Sequence, residues 1–121
     1  LQVYDDGEQT RCFTYVADTV EGTIRAATVR GAAGQVFNIG SNRETSVNEL
    51  ARLIRRLTGS HSEVVHVPYA SAYGANFEET RRRVPDVTQA REVLGFETQV
   101  SLEEGLRRTL GWFRNGEIVE G

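Results

Sequence analysis

Apolar residues recur at helical spacing along much of the chain, and polar or glycine residues mark where the helices begin and end. A first helix is predicted from Val16 to Ala27, with a pair of glycines beyond it to close it. A second is predicted to begin at a capping box, in which Ser46 and Glu49 satisfy each other's unpaired backbone amides. Gly59 should end this helix, because glycine readily adopts the left-handed backbone found after helices.

Two further patterns near the C-terminus also predict helices. Asp86 has the position of an N-cap, and the helix that follows should run through Leu94 and stop at Gly95. Ser101 should begin the last helix, since a glutamate follows at the spacing of a capping box. The apolar face of that helix comprises Leu102, Leu106, Leu110 and Phe113.

Four short β-prone runs alternate with these helices, at residues 1–4, 9–13, 35–40 and 63–68. The first two flank Asp6 and Gly7, a strong turn signal that predicts a strand returning beside the first. The chain from Tyr69 to Arg83 is predicted to be irregular. Alternating strands and helices indicate an α/β class, and we expect one small mixed domain of about four helices and short strands over residues 1–121.

The composition is that of an ordinary globular domain, with 39% hydrophobic and 26% charged residues. A net charge of −3 argues against a nucleic-acid partner, and no apolar run is long enough to predict a membrane span. All 14 basic residues are arginines, so the chain has no lysine for Schiff-base, P-loop or Tyr-Lys chemistry. The single cysteine, Cys12, excludes an internal disulfide and favours a reducing, cytoplasmic location.

Several motifs occur in a fixed order. They are Val-Tyr-x-Asp-Gly-Glu-Gln-Thr-Arg-x-Phe-Thr-Tyr-Val, Val-Phe-Asn-Ile-Gly-Ser, Glu-Thr-Ser-Val-x-Glu-Leu-Ala and Arg-Arg-Val-Pro-Asp-Val-Thr. Together they resemble the extended short-chain dehydrogenase/reductase group. The most similar members are the NAD-dependent nucleotide-sugar epimerases and dehydratases, including UDP-glucose 4-epimerases and UDP-glucuronate decarboxylases.

The resemblance implies the C-terminal, substrate-binding part of a Rossmann-type enzyme, without its NAD-binding half. In the family, NAD takes a hydride from the sugar with the help of the tyrosine in a Tyr-x-x-x-Lys motif. Neither that motif nor the glycine-rich NAD loop occurs here, and Leu1 is interpreted as a fragment boundary because it is not an initiator Met. We therefore expect no catalytic residue and no cofactor in this chain, and NAD in the full-length parent.

The resemblance also implies residues that bind a UDP-sugar, or another nucleoside-diphosphate sugar. The segment Gln2–Tyr4 matches the one that lies along the uracil ring, and Arg11 matches an arginine that pairs with the diphosphate. Arg82 is favoured for a second diphosphate contact, and Tyr73 falls in the loop on the sugar side, where packing is the alternative role. The six candidates are Gln2, Val3, Tyr4, Arg11, Arg82 and Tyr73.

Three positions depart from the family pattern. Cys12 stands where an aspartate is usual, Ala17 replaces the first of two aspartates and leaves only Asp18, and Asp5 stands where glycine is common. The turn and Arg11 are retained, so substrate binding is less affected by these changes than the activity of a full-length parent.

No metal site is predicted. Asp5, Asp6 and Glu8 lack the spacing of a calcium loop and are interpreted as a solvated turn. His61 and His66 have no third ligand near them in the sequence.

Two functions stay open on the sequence alone. The chain either binds and orients a nucleoside-diphosphate sugar within an epimerase, dehydratase or decarboxylase, or acts alone as a ligand-binding or self-associating protein without enzyme activity. A homo-oligomer is expected in either case. In the family, the helix from Val16 to Arg30 and the strand at residues 36–40 pack on the NAD-binding sheet, so without it they should expose apolar surface.

Overall fold

The computed structural model describes residues 1–73 and 80–115, and of residues 72 and 73 it describes the backbone alone. The elements are β1 Gln2–Tyr4, β2 Thr10–Cys12, α1 Val16–Thr28, β3 Glu44–Ser46, α2 Val47–Thr58, β4 Val65–Val67, α3 Tyr69–Tyr73, α4 Thr88–Leu94 and α5 Leu102–Asn115. These elements confirm the small mixed α/β class. Within the described ranges there is one short helix more than the four expected. The chain divides into two compact units: Leu1–Arg11 with Glu44–Arg83, and Cys12–Arg43 with the residues from Val84 onward.

The first unit is built on a parallel pair of strands, β1 and β4. Val3 lies opposite His66 in this pair, and the Val3 side chain is buried, with only 2% of its surface exposed. The predicted hairpin is wrong, because β1 pairs with β4 and β2 pairs with β3. The turn after β1 is present, with positive φ angles of 55° at Asp5 and 71° at Gly7, but it leads the chain towards α2.

Backbone hydrogen bonds explain this choice of partners. The amide of Asn48 donates to the carbonyl of Gly7 at 3.0 Å, and the amide of Val47 donates to that of Gln9 at 3.2 Å. The first amides of a helix have no partner within the helix, so the start of α2 takes up the carbonyls that a hairpin would use.

Helix α2 begins and ends as its sequence predicts. The Ser46 hydroxyl accepts from the Glu49 amide at 3.1 Å, and the Glu49 carboxylate accepts from the Ser46 amide at 2.9 Å. Gly59 follows the helix with φ 66° in the left-handed region. The capping box and the glycine stop are therefore confirmed.

The second unit has a core in which α4 packs against α1. The buried residues of this core are Ala32, Ala90, Leu94 and Phe96, with Phe37 and Ile39 packed against them. The strand predicted at residues 35–40 is wrong, since this segment has no strand partner within the described residues. Its side chains still alternate: Phe37 and Ile39 face the core, while Val36 is 84% exposed.

Helix α1 turns its apolar stripe outward. Val16, Val20 and Ile24 are 65%, 51% and 52% exposed, and the buried positions are Asp18 and Gly22. A Cβ at Gly22 would lie 3.1 Å from the Phe96 ring and closer still to Ile39, so glycine is required for this approach. The helix is confirmed, but the periodicity alone does not reveal which face is buried.

The carboxylate of Asp18 ties α1 to the segment before α5. It accepts from the backbone amide of Gln99 at 3.2 Å and from that of Val100 at 3.0 Å, while only 6% of the residue is exposed. A buried carboxylate is tolerated where hydrogen bonds of this kind replace its hydration.

The shorter helices differ slightly from expectation. Residues 69–73 form α3 where irregular chain was predicted. The carbonyl of Pro68, just before this helix, accepts from the amide of Ser71 at 3.0 Å. The N-cap of α4 is Val87, one residue after the predicted Asp86, although the Asp86 carboxylate accepts from the Thr88 amide at 2.9 Å.

The ends of α4 and α5 follow the prediction. Gly95 stops α4 with φ 60°, and the Ser101 hydroxyl accepts from the Glu104 amide at 3.2 Å at the start of α5. None of the helices within residues 1–73 and 80–115 has the length and apolar character needed to cross a membrane.

Replacing Asp18 by alanine should lower the free energy of unfolding by about 2 to 4 kcal/mol, because two backbone amides lose a charged acceptor. The measurement is urea unfolding followed by circular dichroism. Glu21→Ala, which breaks only the exposed pair of Glu21 with Arg25, should cost about 0.5 kcal/mol or less. Equal losses in the two variants would contradict the role given to Asp18.

Candidate functional site

The candidate substrate-binding residues all lie in the first unit, but they differ in how accessible their side chains are to a ligand. Gln2 is exposed on β1, opposite Val65. The side chain of Val3 belongs to the core, so only the backbone of this residue can meet a ligand. Tyr73 ends α3, and its side chain lies outside the described part of the structure.

Tyr4 is held in a small aromatic and polar cluster. Its ring stacks on that of Tyr69, with centroids 5.8 Å apart and planes 21° from parallel. Gln9, only 4% exposed, donates from Nε2 to the Tyr69 hydroxyl at 2.9 Å and to the Tyr4 carbonyl at 3.2 Å. Gln9 thus fixes both tyrosines, a role that sequence reasoning missed because a lone Gln in a turn gives no periodic signal.

One polar atom of the Gln9 side chain has no hydrogen-bond partner. This atom, Oε1, is buried, and a buried acceptor without a partner is unusual. The atom is enclosed by protein, so the Gln9 side chain belongs to the packing beneath Tyr4 and Tyr69.

Arg82 and Arg11 lie on either side of Thr10. The backbone of Arg82 forms a parallel bridge with Thr10, and the Arg82 guanidinium holds the Glu44 carboxylate at 2.7 Å from Nη2. Arg11 directs Nη1 to the Thr10 carbonyl at 2.7 Å. Side chains alternate along a strand, so Thr10 and Arg11 leave β2 on opposite faces.

Glu44 was not predicted as a site residue, yet its carboxylate accepts hydrogen bonds from the Arg82 guanidinium. Hydrogen bonds from Arg82, and then from the Thr10 hydroxyl at 2.9 Å, lower the pKa of the Glu44 carboxyl. Any anion that binds Arg82 must therefore take the place of this carboxylate.

Arg81, which precedes Arg82 in the sequence, is bound to the turn that follows β1. Its two terminal nitrogens donate to the two carboxylate oxygens of Asp6 at 2.9 and 2.7 Å, and Asp5 lies 3.6 Å away. The Arg81 hydrogen bond, followed by that from the Glu8 amide, lowers the pKa of Asp6 from 3.8 to about 2. The geometry therefore gives Arg81 a structural partner within the loop.

The Asn48 side chain joins the turn to α2 and β4. Its Nδ2 donates to the Asp6 carbonyl at 2.8 Å and to the Glu8 carboxylate at 2.7 Å, and its Oδ1 lies 3.0 Å from His66 Nε2. A Cβ at Gly7 would collide with the Asn48 side chain, so this turn requires glycine in two respects, space and positive φ. Asn48 was assigned no role from the sequence, because these contacts join it to residues distant in the sequence.

The residues considered for metal binding are engaged otherwise. Arg81 and Asn48 hold the carboxylates of the turn, and His66 contacts Asn48. Within the described ranges, no group of three His, Cys, Asp or Glu side chains is placed to share an ion. Cys12 is half-buried at the end of β2.

Comparison with known proteins gives a family match. A sequence model of the GDP-mannose 4,6 dehydratase family matches residues 1–109. The UDP-N-acetyl-alpha-D-glucosaminuronate decarboxylase of Bacillus cytotoxicus is 50% identical over 117 residues, which cover 97% of this chain and 36% of that protein.

Solved structures give the same result. The UDP-glucose 4-epimerase of Thermotoga maritima, solved with UDP-glucose, matches 95% of this chain and 35% of its own length, with a TM-score of 0.83 and 37% identity. MoeE5, solved with UDP-glucuronic acid and NAD, matches with a TM-score of 0.82 and 35% identity over 95% of this chain and 36% of its own. These matches confirm the resemblance and the fold, and the chain spans about a third of the length of these relatives.

Arg81→Gln should raise the pKa of Asp6 from about 2 towards its ordinary 3.8, because the largest cause of the depression is removed. A depressed carboxyl pKa adds stability above its ordinary pKa, and that stability is lost as the pH falls towards the folded-state value. An NMR titration of the Asp6 carboxyl carbon measures the shift.

Arg82→Gln is the matched control. It should raise the pKa of Glu44 and leave that of Asp6 unchanged, because Arg82 donates to Glu44. A wild-type Asp6 that titrates near its ordinary value would disprove the Arg81 pairing.

Proposed function

The chain belongs to the GDP-mannose 4,6 dehydratase family of extended short-chain dehydrogenases/reductases, and on that premise we propose that it binds and orients a nucleoside-diphosphate sugar. A UDP-sugar is favoured, since the relatives named above are a decarboxylase and an epimerase of UDP-sugars. The binding would serve an NAD-dependent epimerase, dehydratase or decarboxylase reaction. Orientation of the sugar nucleotide is the contribution of this chain, which has no Tyr-x-x-x-Lys motif.

The observation that carries the proposal is the position of Arg11 and Arg82 around Thr10. Each arginine is tied to Thr10, Arg82 by a backbone bridge and Arg11 by a hydrogen bond from its guanidinium. A guanidinium suits the paired oxygens of a diphosphate. The Arg82–Glu44 ion pair is accessible to solvent, and solvent-screened pairs of this kind add little stability. A diphosphate can therefore displace Glu44 with little loss.

The tyrosine cluster supports a place for the base. Gln9 donates to the Tyr4 carbonyl and to the Tyr69 hydroxyl, and the two rings are stacked. Aromatic rings held in this way offer a planar surface on which a base can stack. The base would lie along β1, where Gln2 is exposed, and the diphosphate would reach β2.

The described residues do not fit an NAD site. An NAD loop joins a strand to a helix, and its glycines let the backbone approach the pyrophosphate. Here Gly31 and Gly34 follow helix α1 and lie in a turn, with φ angles of 94° and 75°. NAD is therefore assigned to the full-length enzymes, as in MoeE5, and no residue of this chain is proposed to bind it.

Self-association is a second proposal, favoured by the outward stripe of α1. Val16, Val20 and Ile24 present apolar surface beside the solvent, and Val36 is more exposed than any of them. Contiguous apolar surface of this kind marks an interaction site. A second copy of the chain would bury it, and the single cysteine supports a cytoplasmic setting for the assembly.

Titration with UDP tests the ligand proposal. Wild-type protein should bind UDP, and Arg11→Ala should weaken the affinity by about tenfold or more, since a hydrogen bond to a charged group contributes about 1.5–3 kcal/mol. Isothermal calorimetry gives the affinities. Uridine, which has no phosphate, should bind wild type and Arg11→Ala equally.

Arg30→Ala, at an exposed arginine of the second unit, is the control and should leave the UDP affinity unchanged. If wild type ignores millimolar UDP, or if both arginine variants lose the same affinity, the ligand proposal fails.

Light scattering tests self-association. Wild type should form dimers or larger species at high protein concentration, and Val20→Asp should shift the population to monomer by placing a charge in the apolar stripe. Thr19→Asp, an exposed change about 100° around α1 from Val20, is the control and should keep the wild-type distribution. A strictly monomeric wild type would contradict the proposal.

A further inference from the structure

A cationic cavity lies at the C-terminal end of α2, in the first unit. It is a depression open to solvent, with a volume of about 320 Å³. The lining residues are Arg52, Arg55, Arg56, Gly59, Ser60 and His61. Nothing in the candidate sugar-nucleotide site uses these residues.

The three arginines share one face of the helix. Arg55 and Arg56 lie three and four residues after Arg52, so each is its neighbour on the helix surface, and like charges at this spacing destabilise a helix. Cations in the last turn are expected, because they complement the helix dipole, and this accounts for Arg55 and Arg56. It does not account for Arg52, which lies one turn earlier.

Arg55 is the least exposed of the three arginines. Its Nε atom is buried against the protein, which holds the base of the guanidinium in place. The depression therefore combines clustered positive charge with a partly immobilised guanidinium, and immobilised donors lose less entropy when they bind a ligand.

The negative end of the helix dipole does not prevent anion binding here. The Ser60 amide donates to the Arg55 carbonyl at 3.1 Å, and the Gly59 amide donates to the Arg56 carbonyl at 3.4 Å. These carbonyls are already capped, and a helix end carries only about half a unit of negative charge. Three guanidinium groups outweigh it, because arginine stays protonated at every working pH.

We propose that this cavity binds a small polyanion with adjacent phosphate groups, such as pyrophosphate or a diphosphate ester. Guanidinium groups bind phosphate oxygens in pairs, and three of them can contact two linked phosphates. The site shares no residue with the sugar-nucleotide site, whose candidates lie on β1, β2 and α3 and at Arg82, whereas this lining lies on α2 from Arg52 onward and just beyond the helix.

Residue-resolved NMR with inorganic pyrophosphate at low ionic strength tests this inference. Backbone amides of residues 55–61 should shift in a saturable manner, and the affinity should fall as salt is added. Arg52→Gln and Arg55→Gln should each weaken the binding measured at these amides by roughly tenfold. Orthophosphate should bind more weakly than pyrophosphate, because it spans fewer guanidinium groups.

Arg82→Gln separates the two sites. It should leave pyrophosphate binding at residues 55–61 unchanged, even if it abolishes binding near β2. Arg52 is exposed, so Arg52→Gln keeps the test valid should Arg55→Gln fail to fold, which circular dichroism would reveal. Absence of shifts at residues 55–61 at millimolar pyrophosphate, or shifts that neither α2 variant reduces, would overturn the proposal.

Discussion

The side chain of Asn48 holds together the segments on which the first unit depends. With one amide group it contacts the turn after β1, the Glu8 carboxylate and His66 of β4, while its backbone amide binds the Gly7 carbonyl. Buried or half-buried amides of this kind are effective because each can donate twice and accept on the same side chain. The position of β2, and with it the position of Arg11, follows from how this amide directs the turn.

The arginines of this chain differ in how firmly they are engaged, and that difference assigns their roles. Arg81 is held by both oxygens of Asp6, while Arg82 shares the Glu44 carboxylate with Thr10. Arg55 has a buried nitrogen without an acceptor. A structural ion pair, an exchangeable one and an unsatisfied donor can thus be distinguished by geometry alone, although all three residues are identical in chemistry.

Local signals in the sequence predicted local structure well. The capping box at Ser46 and the stop at Gly59 depend on neighbouring residues, so the sequence contains what is needed. The partner of β1 could not be predicted from the turn at Gly7, because strand pairing depends on residues far along the chain. Asp18 and Asn48 were missed for a related reason: a polar residue is interpreted as exposed until its distant hydrogen-bond partners are known. The motifs predicted the candidate ligand residues, whereas only the structure shows which groups these residues now contact.

The parallel pairing of β1 with β4 has a consequence for how the chain is made. Leu1 and Glu63 are hydrogen-bonded although 62 residues separate them. On a ribosome that adds roughly 5–20 residues per second, β1 is synthesised roughly 3–12 s before the strand that completes it. During that interval the apolar side chain of Val3 and the unpaired edge of β1 are exposed on the nascent chain, where they can pair with other β-prone segments. The speed of translation and the access of chaperones therefore influence the yield of folded protein, although neither affects its final stability.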